Sequence, residues 1–335
     1  MTRAWLEAQL ANLVEPDEDS RTAVRDRVAE ILRPLDATKA LDDVAVWVSG
    51  WQRNPRPLVE RPAALVFAAN HGVARAGVSK YPIDVTSSMV AAFRSGSSTI
   101  NAWAAVAGAT VDVIDVGVDD PSGDIRTTTA VPAERFDHVV TSARHAVEAL
   151  DADLLVIGEM GIGNTTAAAA VCHALIGATA EIWVGRGTGV DDSSLAVKID
   201  AVREAVARLR RECPDASPLD VLAEVGGLEL VAMAAAIVAA RQRSLPVVLD
   251  GYVVTASALA VSMCAPSAID HCWIGHRSAE PGHTRVLDHL GARPLIDLGL
   301  RLGEASGAMA AVPLVRMACA GVTAVPTFGE WFGSP

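Results

Sequence analysis

Apolar residues recur at helical spacing through residues 2–52: Trp5, Leu6, Leu10 and Leu13, then Val24, Val28, Ile31 and Leu32, with Asp19 or Ser20 placed to cap the second run. The pattern predicts two or three helices before any strand. Pro55, Pro57 and Pro62 break it, and the continuous apolar run at 64–73, ALVFAANHGV, reads as a buried strand of a parallel sheet. After a loop holding Tyr81 and Pro82, helices over 84–94 and 97–107 lead to a strand at 110–116. Strand and helix then alternate: helix 135–150, strand 154–157, a helix after Thr165, a strand opening EIWVGRGTGVDD at 181–192, and a long charged helix at 193–211. Helix 228–241, strand 246–251, helix 253–263 and a strand in HCWIGHRSAEPGH at 271–283 complete the series.

Repeated βα units predict a mostly parallel sheet with helices on both faces and ligands at the carboxyl ends of the strands. The loops NHG, GEMGIGNTT, GRGTG, DGY and GHRSAEPGH each follow an apolar run, so five loops are expected to converge on one edge of the sheet. With 335 residues, 51% of them hydrophobic, the chain can bury a large core in one α/β domain, alone or with a smaller one. A formal charge of −12 argues against nucleic acid or an anionic membrane as partner. The apolar runs Leu230–Ala240 and 305–325, the latter interrupted by Arg316, read as buried helices rather than membrane spans. The N-terminus has no signal-peptide pattern, and five cysteines without a CxxC predict reduced thiols in a cytoplasmic protein.

The chemistry centres on Leu154 to Thr166, LLVIGEMGIGNTT. An apolar strand, close glycines and a helix start offer free backbone N–H groups at the positive end of a helix dipole, which suits an anion. Asn164 stands where a P-loop has lysine, and Thr166 where a dinucleotide fingerprint has its third glycine, so a monophosphate fits best. A plain glycine-rich turn explains the same residues. GRGTG adds the amides of Gly185, Gly187 and Gly189, with Lys198 one to two helical turns on, although a glycine turn followed by a solvated lysine accounts for these too. Ser278 and Glu280 open a helix at Pro281, where capping explains the serine. His71, His276 and His283 are too scattered for a metal site, and no cofactor is implied. Glu304, before the small residues Ala305 to Ala308, has the setting of a desolvated general base, or of a first-turn residue complementing the helix dipole. Glu159, between glycine-flanked residues of the anion loop, is the second such carboxylate.

Seven segments, from FAANHGVARAGVSKYPIDVTSSMV through IGEMGIGNTTAAA, VGRGTGVDDSSLAVKID, EVGGLELVAMAAAI, PVVLDGYVVTA and GHRSAEPGH to LGEASGA, resemble in order and spacing the nicotinate-nucleotide:dimethylbenzimidazole phosphoribosyltransferases. The resemblance covers residues 60–312. It implies a Rossmann-like sheet, a small helical domain built from residues 1–55 and 301–335 around an α/β domain at 60–300, and a homodimer. It also implies transfer of 5-phosphoribose from nicotinate mononucleotide to a benzimidazole nitrogen with inversion, giving an α-ribazole phosphate. By resemblance Glu304 takes the azole proton and Glu159 lies beside the ribose. Gly161, Gly163, Asn164, Thr165, Gly185, Gly187, Lys198 and Ser278 hold the donor phosphate, and Ser79, Tyr81, Ser88, Met160 and Leu302 surround the acceptor. The chain departs from the pattern at Asn70, where relatives have Asp, at Ser88, where they have Gln, in a shortened 118–135 segment, and in the tail. These departures leave two alternatives: a paralogue with another aromatic acceptor, or a nucleotide-binding protein without catalysis.

Overall fold

The computed structural model describes residues 2–333. Three helices, α1 (Arg3–Ala11), α2 (Glu18–Glu30) and α3 (Lys39–Gln52), precede β1 (Pro62–His71). Helices α4 (Val85–Arg94) and α5 (Thr99–Ala107) lead to β2 (Thr110–Ser122), and α6 (Ala133–Glu148) leads to β3 (Leu154–Met160). Then come α7 (Asn164–Ile176), α8 (Ala180–Trp183), α9 (Asp192–Glu212), α10 (Pro218–Val225) and α11 (Leu228–Gln242). The chain closes with β4 (Val247–Leu249), α12 (Tyr252–Cys264), β5 (Cys272–Ile274), α13 (Pro281–Leu290), α14 (Ser306–Thr323) and α15 (Phe328–Phe332).

The five strands pair in parallel in the order β2-β1-β3-β4-β5, a doubly wound arrangement. Every residue of β1 is buried because both faces are covered. Leu65, Phe67 and Ala69 enter one core with α1, α6, α7, α11 and α12, while Ala64 and Val66 enter the other with α2, α3, α5 and α14. Thus α2 and α3 pack with α14 at the far end of the chain, whereas α1 lies across the sheet from them. Helix α11 is buried from Leu228 to Arg241. Helix α14 is long and apolar enough to cross a membrane, yet its apolar side covers α3, α5 and β3. Successive strands go to opposite sides of β1, so the strand order reverses between β1 and β3, where a crevice opens at the carboxyl ends.

Four local expectations change. Asp17, rather than Asp19 or Ser20, caps α2, its carboxylate accepting the Ser20 N–H at 3.0 Å. No strand forms in 181–192. Trp183 donates its indole N–H to Gly177 O at 2.8 Å and Val184 N–H returns to Ala180 O, so this backbone closes a short helix instead of joining a ladder. The GRGTG loop therefore follows a helix, and four sheet-edge loops, not five, leave strand ends. Strand β5 is only three residues long, and α10 was not expected, although Pro218 behind a Ser217/Asp220 capping box marks its start.

Candidate active site

A cavity of about 300 Å³ lies over the carboxyl ends of the strands and draws its walls from the loops after β3, β4 and β5, the α8–α9 loop, and the segments before α4 and α14. The first turns of α7 and α12 reach it through Asn164, Thr165, Tyr252 and Val253. Of the first α7 amides, those of Asn164, Thr166 and Ala167 turn back to Gly161 O and Gly163 O, which leaves Thr165 N–H as the one turned free at this end.

At that end Lys198, 1% exposed, donates to Thr165 Oγ1 at 3.0 Å. Burial pushes its pKa down to about 8, while the nearby Glu280 pulls it upward. A Cβ at Gly187, whose φ is 51°, would sit 3.0 Å from both Lys198 Nζ and Thr165 Oγ1, so the backbone approaches the pair closely. Gly187 N–H donates to Glu280 Oε1 at 2.9 Å. Gly185 packs behind Glu280, where a Cβ would fall 2.0 Å from Oε2, and it does not line the cavity. Ser278 does line it. Its N–H donates to His283 Nδ1 at 2.9 Å, and burial lowers the His283 pKa to about 3, so the ring is neutral and its Nε2–H donates to Thr255 Oγ1. His283 is thus a satisfied core histidine.

The loop itself folds against β1. Gly161 lies where a Cβ would meet Ala69 O at 2.4 Å, and behind it His71 Nε2 and Glu229 Oε1 are 2.5 Å apart, both residues fully buried. Gly163 has φ 101°, and a Cβ there would point at His71 and Ala74 rather than into the cavity. Backbone geometry, not room for a phosphate, is what demands glycine at this position.

At the other end Gly303, Glu304 and Ala305 run through the left-handed region with φ 83°, 62° and 65°. Such a run in non-glycine residues is strained and persists only when the surroundings impose it. Glu304 N–H donates to Glu159 O at 3.1 Å, and Ala305 packs so closely on β3 that a Cβ at Gly158 would overlap its backbone. Glu304 therefore precedes α14 instead of sitting in its first turn, which removes the dipole-complementing reading. It is 5% exposed, its Oε2 has no hydrogen-bond partner, and burial followed by the charge of Asp250 pushes its pKa up to about 7. Glu159 accepts a hydrogen bond from Asn164 Nδ2. Its pKa is pushed well above the usual carboxylate range by burial, then by Asp250 and Glu229.

The cavity's apolar lining is Val78, Val85, Met89, Met160, Ile162 and Leu302, and Ser79 and Tyr81 line it too. Val85 and Met89 share one face of α4. Ser88 does not: it is exposed, its hydroxyl turned to Asp84 O, and it lies outside the cavity. Asn70 is also outside, buried and satisfied by Val118 O and the Thr86 hydroxyl. The cavity thus gathers all the sequence-predicted site residues except Gly185 and Ser88. Sequence reasoning missed Glu229, Asp250, Arg301 and the Val85/Met89 pair; the i, i+4 apolar spacing would have revealed the pair, and an acid ending the apolar run PVVLD would have flagged Asp250. Among the described residues no group of three or more His, Cys, Asp or Glu side chains is placed to hold a metal.

A family model described as Phosphoribosyltransferase matches residues 13–331. The nicotinate-nucleotide–dimethylbenzimidazole phosphoribosyltransferase of Methylorubrum extorquens is 45% identical over 314 residues, 94% of this chain and 91% of that protein. Its counterpart in Methylocella silvestris is 46% identical over 315 residues, covering 93% and 91%. Among solved structures, CobT from Thermus thermophilus superposes with a TM-score of 0.89 at 41% identity, covering 94% of this chain and 99% of that one. With this likeness spanning nearly the whole chain and the strand-end cavity alike, the chain belongs to the nicotinate-nucleotide–dimethylbenzimidazole phosphoribosyltransferase family.

Proposed function

We propose that the chain transfers the 5-phosphoribosyl group of nicotinate mononucleotide to a nitrogen of dimethylbenzimidazole. One observation carries this reading: a single cavity holds a buried lysine–threonine pair at a helix N-terminus and, at its other end, an unpartnered carboxylate whose pKa is about 7. Lys198 and the hydroxyl and N–H of Thr165 at the start of α7 bind the 5′-phosphate and fix the ribose, with Ser278 and Gly187 closing that end. Glu159 faces the ribose. The acceptor ring lies against the apolar lining with its N–H toward Glu304. As the other ring nitrogen bonds to C1′, the C1′–pyridinium bond breaks, its electron pair returns to nicotinate, and the azole proton passes to Glu304. The leaving group already carries positive charge, so one base suffices, and attack from the face opposite the departing ring gives the α-riboside. Ser88 and Asn70, whose identities differ from the family pattern, both lie outside the cavity wall and give no support to a different acceptor.

Incubation with nicotinate mononucleotide and dimethylbenzimidazole, read by mass, yields α-ribazole phosphate and nicotinate. Product only with other aromatic acceptors, or none at all, would overturn the assignment.

We further propose a two-fold homodimer in the cytoplasm. All five cysteines are unpaired, which suits a reducing compartment. Exposed apolar side chains such as Val106, Met317 and Trp331 leave surface that a second copy would cover. Light scattering at micromolar concentration gives twice the chain mass; a monomer mass would contradict it.

A further inference from the structure

Asp250 directly follows β4, is fully buried, and is near enough to Glu304 for its charge to act on that carboxyl. Its Oδ1 accepts the Ala308 N–H at 2.9 Å, one of the free amides in the first turn of α14. The same oxygen is 3.4 Å from His276 Nε2. His276 packs between two glycines: a Cβ at Gly307 would lie 2.0 Å from its ring, so glycine there is what lets the imidazole reach this carboxylate, and a Cβ at Gly251 would already be in tight contact at 3.2 Å. The end of β4, the segment after β5 and the start of α14 are tied together through one side chain. The strained turn 303–305 is continuous with that helix start, and its backbone is held by Glu304 N–H to Glu159 O, Ser306 N–H to Gly303 O and Met309 N–H to Ala305 O. Asp250 Oδ2 and Glu304 Oε2 are both buried without partners.

We infer that Asp250 is the positioning residue of the Glu304 base, holding the left-handed turn through its grip on α14 and presenting a second buried negative charge to the Glu304 carboxylate. The inference rests on the proposed role of Glu304. Other ionisable groups lining the same cavity are Glu159 from β3, His276 after β5, Glu280 before α13, Lys198 from α9, and Arg301 on the segment of the base itself. Asp250 differs from these in being locked to the helix that follows the base. An acid held there disfavours the ionised form of Glu304, and its removal shifts proton acceptance to lower pH.

The test is the pH profile of kcat for wild type, Asp250→Asn, Asp250→Ala and Glu304→Gln. Asn keeps an oxygen for the Ala308 amide and loses only the charge, so the rise of kcat with pH moves down by roughly one unit, whatever the plateau height. Ala loses the anchor as well, and its plateau falls well below that of Asn while donor KM changes little. A rise at the wild-type pH in Asn, or an Ala plateau equal to that of Asn, overturns the inference. Should Ala not fold, the Asn profile decides alone. Glu304→Gln separates the two readings. If the rise persists in that variant, Glu304 is not the base; if it vanishes there yet stays unmoved in Asp250→Asn, only the role of Asp250 fails.

Discussion

Replacing Glu304 by Gln lowers kcat by roughly 10²- to 10⁴-fold, the usual worth of a general base, while donor binding stays within a few-fold. The amide fills the same space in the same turn and cannot take the azole proton. The deficit shrinks for benzimidazoles of greater N–H acidity, because these supply their own anion and need less help. Full activity across a graded series would remove Glu304 from the mechanism. Stability moves the other way. A carboxyl whose folded pKa is raised to about 7 binds its proton more tightly in the native state than in the unfolded one, so native stability falls as pH rises from the ordinary glutamate range through 7. Above that pH the ionised side chain costs on the order of 3 kcal/mol. The Gln variant escapes this penalty and melts above wild type at pH 8, with the gap closing toward pH 5. Calorimetry at the two pH values checks it, and a Gln variant that melts lower at both would show that the carboxylate is a structural partner and not a desolvated base.

The parts of the fold that sequence exposes are those fixed by neighbours along the chain. β1, β3 and the GIGNTT turn announce themselves as apolar runs ended by glycines, and α9 as a long amphipathic helix. What escapes is set by residues distant in sequence. The turn that presents Glu304 is left-handed because Ala305 packs against Gly158 and because Asp250, 58 residues from Ala308, holds the start of the next helix. No local propensity favours three consecutive positive φ values, so the sequence suggests a desolvated Glu304 ahead of small residues but leaves the first-turn alternative open, which only the turn geometry decides. Ser88 is a case of another kind: which face of a helix lines a cavity depends on how the helix docks, and α4 turns Val85 and Met89 to this one and Ser88 to solvent. The run at 181–192 looks like a strand because Ile and Trp suit one, yet a strand forms only where a ladder partner waits, and Trp183 is tied back to Gly177 instead.

Lys198→Met weakens nicotinate mononucleotide binding by roughly 10- to 100-fold at pH 7, the worth of charge-assisted hydrogen bonds to a buried anion. The side chain is 1% exposed and its one hydrogen-bond partner is a hydroxyl, so in the free protein its charge is poorly compensated, and this is why its pKa sits at about 8. A phosphate brought to it restores the favoured charged form, which means that donor and proton bind together. Wild-type affinity therefore falls as pH rises through about 8, once donor binding must first recharge the lysine, whereas the Met variant binds weakly with no such dependence. Nicotinate riboside, which has the same ring and sugar without the phosphate, provides the discriminating control. If Lys198 serves the phosphate, the riboside binds both proteins alike, and Met, free of a buried charge, does not lower the melting temperature. Equal losses for nucleotide and riboside would instead place Lys198 in the architecture of the α7–α9 contact, with the phosphate held by Thr165 and Ser278 alone.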